Sequence, residues 1–375
     1  MYELKVILAA IALFTACLPD AHSEALPGEP VRVTVDNFIR AETDRYFGLT
    51  VMRGGLGKFS HWRNLIPVDR PTVIRPNRDT LYSTAVFDLD AGPVSVTMPD
   101  AGSRFMSLAV IDEDHQVIGV HYGPGQYSLD KAKVGTRYVM LGVRTLFHPA
   151  DPQDLKKVAA LQDAIGVSQP DGPGRFEVPN WEEASRSEVR KALLALGKTI
   201  PDSRGMFGKD DEVDPIRHLI GSAMAWGGNP EKDAYYQVVT PPHNDGKTTY
   251  RLDLADVPVS GFWSVSVYNE AGKFQQNALE AYSLNSLTAK KGEDGSVSLR
   301  FGGCTAQSPN CLPTMPGWNY MVRFYLPGEA ILKGTWKLPE ARPASDRVPP
   351  SGVTAMVLAV EFAGTQLITA DSRAV

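Results

Sequence analysis

Apolar and polar residues alternate along most of this 375-residue chain, and the alternation has two periods. In Val94-Ser95-Val96-Thr97-Met98 the period is two, the pattern of a half-buried strand. "STAVFDL", "RFMSLAVID" and "TRYVMLGVRT" read as further strands, and Ala91-Gly92-Pro93 and Gly123-Pro124-Gly125 punctuate them. Ahead of them, Phe38, Ala41 and Phe47 predict a helix that Asp36 or Asn37 can cap and Gly54-Gly55 ends. From 151 the period becomes helical. Leu155, Val158, Ala159 and Leu161 share one face, and Val189, Leu193 and Leu196 another. Ile216, Leu219, Ile220 and Ala223 form a third stripe, with Pro215 near its first turn and Gly227-Gly228 beyond its end. Strands return at "AYYQVVT", "TYRLDL", "GFWSVSVYN", "GSVSLRFGG" and "YMVRFYLP". The pattern predicts a mostly β protein with two antiparallel β-sandwich or jelly-roll-like domains, 31–150 and 231–340. A helical connector at 151–230 joins them, and a proline-rich linker and apolar tail fill 341–375.

Composition agrees with a folded, turn-rich chain: 43% hydrophobic, 22% charged, 28 prolines and 33 glycines. A formal charge of −5 argues against a nucleic-acid partner, which calls for a basic surplus. The opening "MYELKVILAAIALFTACLPDAHSEA" has a weakly positive head at Lys5 and an apolar run from Val6 to Leu18. That run is shorter than the roughly 20 residues of a transmembrane helix, and Ala21-His22-Ser23 puts small residues at a cleavage site. A signal peptide at 1–23, a periplasmic or secreted location and no stable membrane span after processing are expected. A lipoprotein through Cys17 is the weaker alternative, because Phe14 stands three residues before it. Processing would leave Cys304 and Cys311 around the turn-forming "TAQSPN", an even pair in an oxidising compartment, and a disulfide is expected. The tail "VTAMVLAVEFAGTQLITADSRAV" suits a strand that closes a sheet edge on its own chain or on a neighbour in a homo-oligomer, and Glu361 argues against a span.

Some blocks carry a family resemblance. "RAETDRYF", "GLGKFSHWRN", "VIRPNRDTLYSTAVFDLDAGPVSVTMPD", "RFMSLAVIDEDH" and "VGTRYV" resemble the bacterial family called domain of unknown function 1254. "NPEKDAYYQV", "FWSVSVYNEAGKFQQNALEAYSLNS" and "LPGEAILKGTWKLP" are similar to its C-terminal companion, domain of unknown function 1214. The resemblance covers about 37 to 340 and implies a tandem of β-rich domains joined by helices, often assembled into oligomers. It brings no activity or cofactor with it. Cys311, where the family pattern has a tryptophan, and the tail after 345 depart from it.

The candidate chemistry starts at Arg75-Pro76-Asn77-Arg78-Asp79. In an extended strand Arg75, Asn77 and Asp79 share one face, and Arg78 lies with Pro76 and Thr80 on the other. Such a cluster is either a buried polar knot, in which Arg75 and Asp79 need each other, or a ligand site. As a site, Arg75, Asn77, Arg78 and Tyr82 would hold a carboxylate or phosphate, with Asp79 and His115 as acid–base groups. "DEDHQ" at 112–116 sets Asp112 and Asp114 beside His115 on a loop, with His121 close behind, and a solvated acidic turn is the plain alternative. No second ligand motif such as H-E-x-x-H accompanies it, so no metal site is expected and the cofactor is unassigned. Trp263, Val265 and Val267 alternate with Ser264, Ser266 and Tyr268 as in a half-buried strand, and Asn277, Tyr282 and Asn285 offer amides and a phenol to a polar ligand. No G-x-S-x-G elbow is present. Two functions stay open: an exported enzyme acting on a small polar or carboxylated molecule, or a non-catalytic ligand-binding or envelope-assembly protein.

Overall fold

The computed structural model describes residues 28–69 and 74–344. The expected leader, with Cys17, and the tail from 345 lie outside the described residues. The elements begin with α1 (Phe38–Met52), β1 (Ser60–His61), β2 (Thr80–Asp88), β3 (Val94–Met98), β4 (Met106–Asp112), β5 (Val117–Tyr122) and β6 (Gly125–Leu129). Next come α2 (Lys131–Val134), β7 (Tyr138–Leu146), α3 (Pro152–Asp163), β8 (Gly166–Ser168), α4 (Glu183–Gly197) and α5 (Pro215–Met224). The chain continues with β9 (Ala234–Val239), β10 (Tyr250–Leu254), β11 (Trp263–Tyr268), β12 (Ser283–Asn285) and β13 (Val297–Phe301). It closes with β14 (Cys311–Leu312), β15 (Asn319–Tyr325), α6 (Glu329–Leu332) and β16 (Arg342–Pro343).

As the alternation predicts, the fold is mostly β and the strands form two sandwiches. In the first, the sheet β1-β2-β7-β4-β5 packs against β6-β3-β8. Phe87, Val96, Leu108, Val110, Leu141 and Val143 meet between these sheets. In the second, β14-β13-β10-β16 covers β12-β11-β15-β9 around Leu252, Val265, Leu299, Phe301, Trp318 and Val322. The pairs are antiparallel apart from β13 with β14, which run parallel. Cys304 and Cys311 are bonded beside that pair, with Cα atoms 5.6 Å apart, as the sequence predicts.

The connector does more than span a gap. β8 completes the smaller sheet of the first sandwich, and α4 and α5 pack on α1 through Phe38, Ala41, Leu193 and Ile220. Pro215 opens α5, where the Asp214 side chain accepts from the backbone of Ile216 and Arg217. Ile216 falls outside the expected buried stripe: it is exposed. Asn37 does take the N-cap position of α1, but its amide is bonded back to Thr34 and Arg32, and the helix receives no side-chain cap. The described residues as far as Pro343 form one compact unit.

Strand parity decides what remains for function. On β7, Val139, Leu141 and Val143 enter the first core, so Met140, Gly142 and Arg144 face the other way. On β15, Tyr320, Val322 and Phe324 enter the second core, leaving Met321, Arg323 and Tyr325. The half-buried reading of β11 is corrected here: all six of its residues are buried, because the Ser264, Ser266 and Tyr268 face is covered too. The second faces of β7 and β15 meet around a cleft.

Candidate functional site

The stretch 75–79 is not a strand. β2 starts at Thr80, and Arg75 has a φ of +49°, a left-handed conformation costing roughly 1–2 kcal/mol in a non-glycine residue. Contacts to the second sandwich hold this kink. The Arg75 N–H donates to the Gly272 carbonyl at 2.7 Å, Arg323 donates to the Arg75 carbonyl at 2.9 Å, and Tyr268 donates to that of Pro76 at 2.9 Å. The expected face shared by Arg75 and Asp79 is therefore broken, and the two do not pair. Asp79, 1% exposed, accepts from Asn285 at 3.2 Å. Burial pushes its carboxyl up, and the charge of Arg323 is what pulls it back. Arg78 turns from the cleft to donate to the Ile66 carbonyl at 2.9 Å and lie over the Tyr282 ring at 5.1 Å.

What does reach the cleft is Arg75, Asn77 and Tyr82, joined by Arg144, Arg323, Tyr325 and Tyr236. A second chamber shares Tyr46, Asn77, Tyr82, Arg144, Trp226 and Gly227 with it. The Asn77 amide organises the centre. Its oxygen accepts from the Asp79 N–H at 2.8 Å, so its nitrogen is the donor, and its two hydrogens are shared among the hydroxyls of Thr80, Tyr82 and Tyr325, each at 3.1 Å. A phenol oxygen that accepts keeps its own hydrogen for something else. Tyr82 and Tyr325 can therefore donate into the cleft, and burial holds the Tyr325 hydroxyl in its protonated form, well above the usual phenol value.

Arg144 is 8% exposed and held from behind by the Asn229 side chain, at 2.8 Å, and by the Gly227 carbonyl. Its guanidinium lies 5.7 Å over the Tyr82 ring. Burial acts to lower its pKa, but the surrounding phenols Tyr82, Tyr236 and Tyr325 more than offset that. Arg75 is pulled down by burial, with the Arg323 charge adding to it. Among the described residues, no carboxylate lies within 4.0 Å of the guanidinium of Arg75, Arg144 or Arg323. Two other charged groups of the lining are already paired, Arg190 with Glu42 and Asp202 with Arg204 and Arg217. The cleft thus carries a positive surplus in an otherwise apolar and aromatic lining.

His115 lies in the loop between β4 and β5 but is enclosed there. It has a φ of +60°, is 0% exposed, and has both ring nitrogens engaged. Nε2 accepts from the Gly227 N–H at 2.8 Å, so Nδ1 carries the hydrogen and donates to Ser222 at 2.7 Å. Burial, with His218 beside it, keeps the ring neutral, far below the ordinary histidine value. His115 stacks behind Trp226, 5.1 Å away, and fixes the glycine whose carbonyl fixes Arg144. Asp112 closes its own turn by accepting from Asp114 and Gln116, and Asp114 pairs with Arg40 at 2.6 Å. His121 packs on Tyr127 at 4.4 Å. Asn277 and Asn285 each cap local turns, and Tyr282 takes up Arg78.

Sequence reasoning missed Arg144, Tyr236, Arg323, Tyr325 and Trp226. A signal was there: "YVMLGVRTL" and "YMVRFYLP" each set one arginine in an apolar strand, where a buried charge needs a reason.

Comparison with known proteins bears on family and fold. Residues 56–169 match the family described as "Protein of unknown function (DUF1254)". Residues 240–329 match the one described as "Protein of unknown function (DUF1214)". No curated protein matches the chain. Its fold is similar to the crystal structure of the VPA0106 protein from Vibrio parahaemolyticus, with a TM-score of 0.63 at 19% identity, covering 83% of this chain and 98% of that one. A putative uncharacterized protein from Burkholderia cenocepacia aligns with a TM-score of 0.47 at 13% identity, over 78% of this chain and 85% of its own.

Proposed function

We propose that the cleft of this chain, in which a DUF1254 match is followed by a DUF1214 match, binds a small carboxylate-bearing molecule. One observation carries the reading. Arg144 is buried and charged without a carboxylate partner, at a point where two phenols have hydrogens to donate. Removing a cation from water is costly unless an anion or a dense set of acceptors compensates it. A bound carboxylate supplies that compensation, and the planar guanidinium can give it two parallel bonds.

Binding is favoured over turnover because the described lining holds no histidine or cysteine, and its serine, Ser203, accepts from the Tyr236 backbone at 3.1 Å. The enzyme reading rests on Tyr82 and Tyr325, whose free hydrogens could protonate a bound oxyanion. Export, as expected from the leader, belongs to the same proposal, and intact mass of the mature protein should begin at or near Glu24. The direct test compares benzoate with its neutral near-isostere benzamide. Benzoate should raise the melting temperature, benzamide should not, and Arg144→Met should abolish the difference. Equal responses to the two compounds would defeat the reading.

A further inference from the structure

The second chamber has a floor of small side chains. Thr84 of β2 stands opposite Gly142 of β7, and Gly142 opposite Ala109 of β4, so one row across the sheet carries little more than a hydroxyl, a hydrogen and a methyl. All three residues line the chamber. The rows two residues away on the same face are bulkier: Tyr82 and Arg144, with Ser107 beyond them, on one side, and Val86, Met140 and Ile111 on the other. The result is a trough between bulky rows.

Gly142 has no conformational reason to be glycine, since it is not among the positive-φ glycines. Nor does close packing require it: a Cβ built there meets no atom within 4 Å. Glycine weakens a strand interior, and where no neighbour explains it, it marks a place left open for something else to approach. Above the trough the walls are apolar, with Leu49, Leu65 and Trp62 among them, and the Arg53 guanidinium covers the Trp62 ring at 4.2 Å. Along one flank stand Arg144 and Tyr82, which with Asn77 are among the groups that both chambers share.

We propose that the ligand is an amphipathic carboxylate whose acid group sits on Arg144 and whose apolar body lies along the Thr84–Gly142–Ala109 trough. This rests on the carboxylate reading above and adds the body and the residue that limits its size. Gly142 is the specificity-determining position, because any side chain there occupies the trough.

Calorimetric titration with butanoate, hexanoate, octanoate and decanoate tests it, with octanol as the uncharged control. For the native protein, affinity should rise with length, by up to about fourfold per buried methylene. Gly142→Leu should flatten that rise while melting at or above the native temperature. Gly142→Ala should give the same trend in smaller measure, and it replaces the leucine variant should that one fail to fold. Carboxylate binding that ignores chain length, or a Gly142→Ala series identical to native, overturns the trough and leaves the carboxylate reading standing. Octanol binding as tightly as octanoate overturns the carboxylate reading, and this proposal with it.

Discussion

Replacing Arg323 by methionine should unsettle the contact between the two sandwiches more than any other single change at the cleft. The guanidinium is 4% exposed and donates to the Arg75 carbonyl at 2.9 Å, the Tyr268 hydroxyl at 2.7 Å and the Ser266 hydroxyl at 3.0 Å. Two of these acceptors recover easily, because Tyr268 still donates to Pro76 and a serine hydroxyl can rotate. The Arg75 carbonyl cannot, and an unsatisfied buried acceptor costs about 1–3 kcal/mol. The larger loss is electrostatic. Asp79 keeps its buried carboxylate but loses the nearby cation, more than 4.0 Å away, whose charge favours its ionisation. Asp79 can escape by taking up a proton. Its pKa in the folded variant should rise further above that of the unfolded chain, so the deficit is greatest at pH 8 and shrinks as pH falls towards 4. Urea unfolding of Arg323→Met, Asp79→Asn and the double variant at pH 5 and 8 measures this. The double variant should regain most of the electrostatic loss. A cost below about 1 kcal/mol that is the same at both pH values would refute this charge coupling.

Other groups give independent predictions. Burial pushes the Asp44 carboxyl up to about 7, although the Trp181 N–H bond at 2.8 Å opposes it. Its folded pKa is raised, so the stability it contributes below pH 4 is lost as pH climbs to 7. Asp44→Asn should therefore gain up to roughly 4 kcal/mol at pH 8 and nothing at pH 4, read by denaturant midpoints. His115 is depressed instead, so its contribution is present above pH 6.5 and lost as pH falls below it. His115→Ala should cost about 2–4 kcal/mol at pH 7, by leaving the Gly227 N–H and the Ser222 hydroxyl short of partners, and should weaken carboxylate binding through Arg144. Preserved affinity in a folded His115→Ala protein would show that His115 does not position the site. Reduction of Cys304–Cys311, seven residues apart, should lower stability by about 2.5 kcal/mol, and thiol labelling of the unreduced protein should find no free cysteine.

The sandwiches were legible because alternation is local: Val94 to Met98 names its own strand, and Val265 and Val267 their own face. The disulfide was legible for the same reason, since eight consecutive residues contain both ends and the turn. β5 and β6 carry no such mark, because "VIGVHY" and "GQYSL" contain glycine and little alternation. The site was half visible. Asn77 and Tyr82 were singled out from their polarity, yet that polarity serves as much to bond two domains as to meet a ligand. Arg144 and Arg323 belong to strands far apart in sequence, and only their pairing with distant partners turns both towards one space. His115 looks reactive beside its carboxylates, and nothing local says that Ser222 and Gly227 will enclose it.

The central claim is that Arg144 receives a carboxylate, and a crystal structure of the octanoate complex tests it most directly. The acid group should lie within about 2.7–2.9 Å of the Arg144 nitrogens, with the Tyr82 or Tyr325 hydroxyl donating to it. A carboxylate seated elsewhere, with Arg144 still bonded only to Asn229 and Gly227, would contradict it.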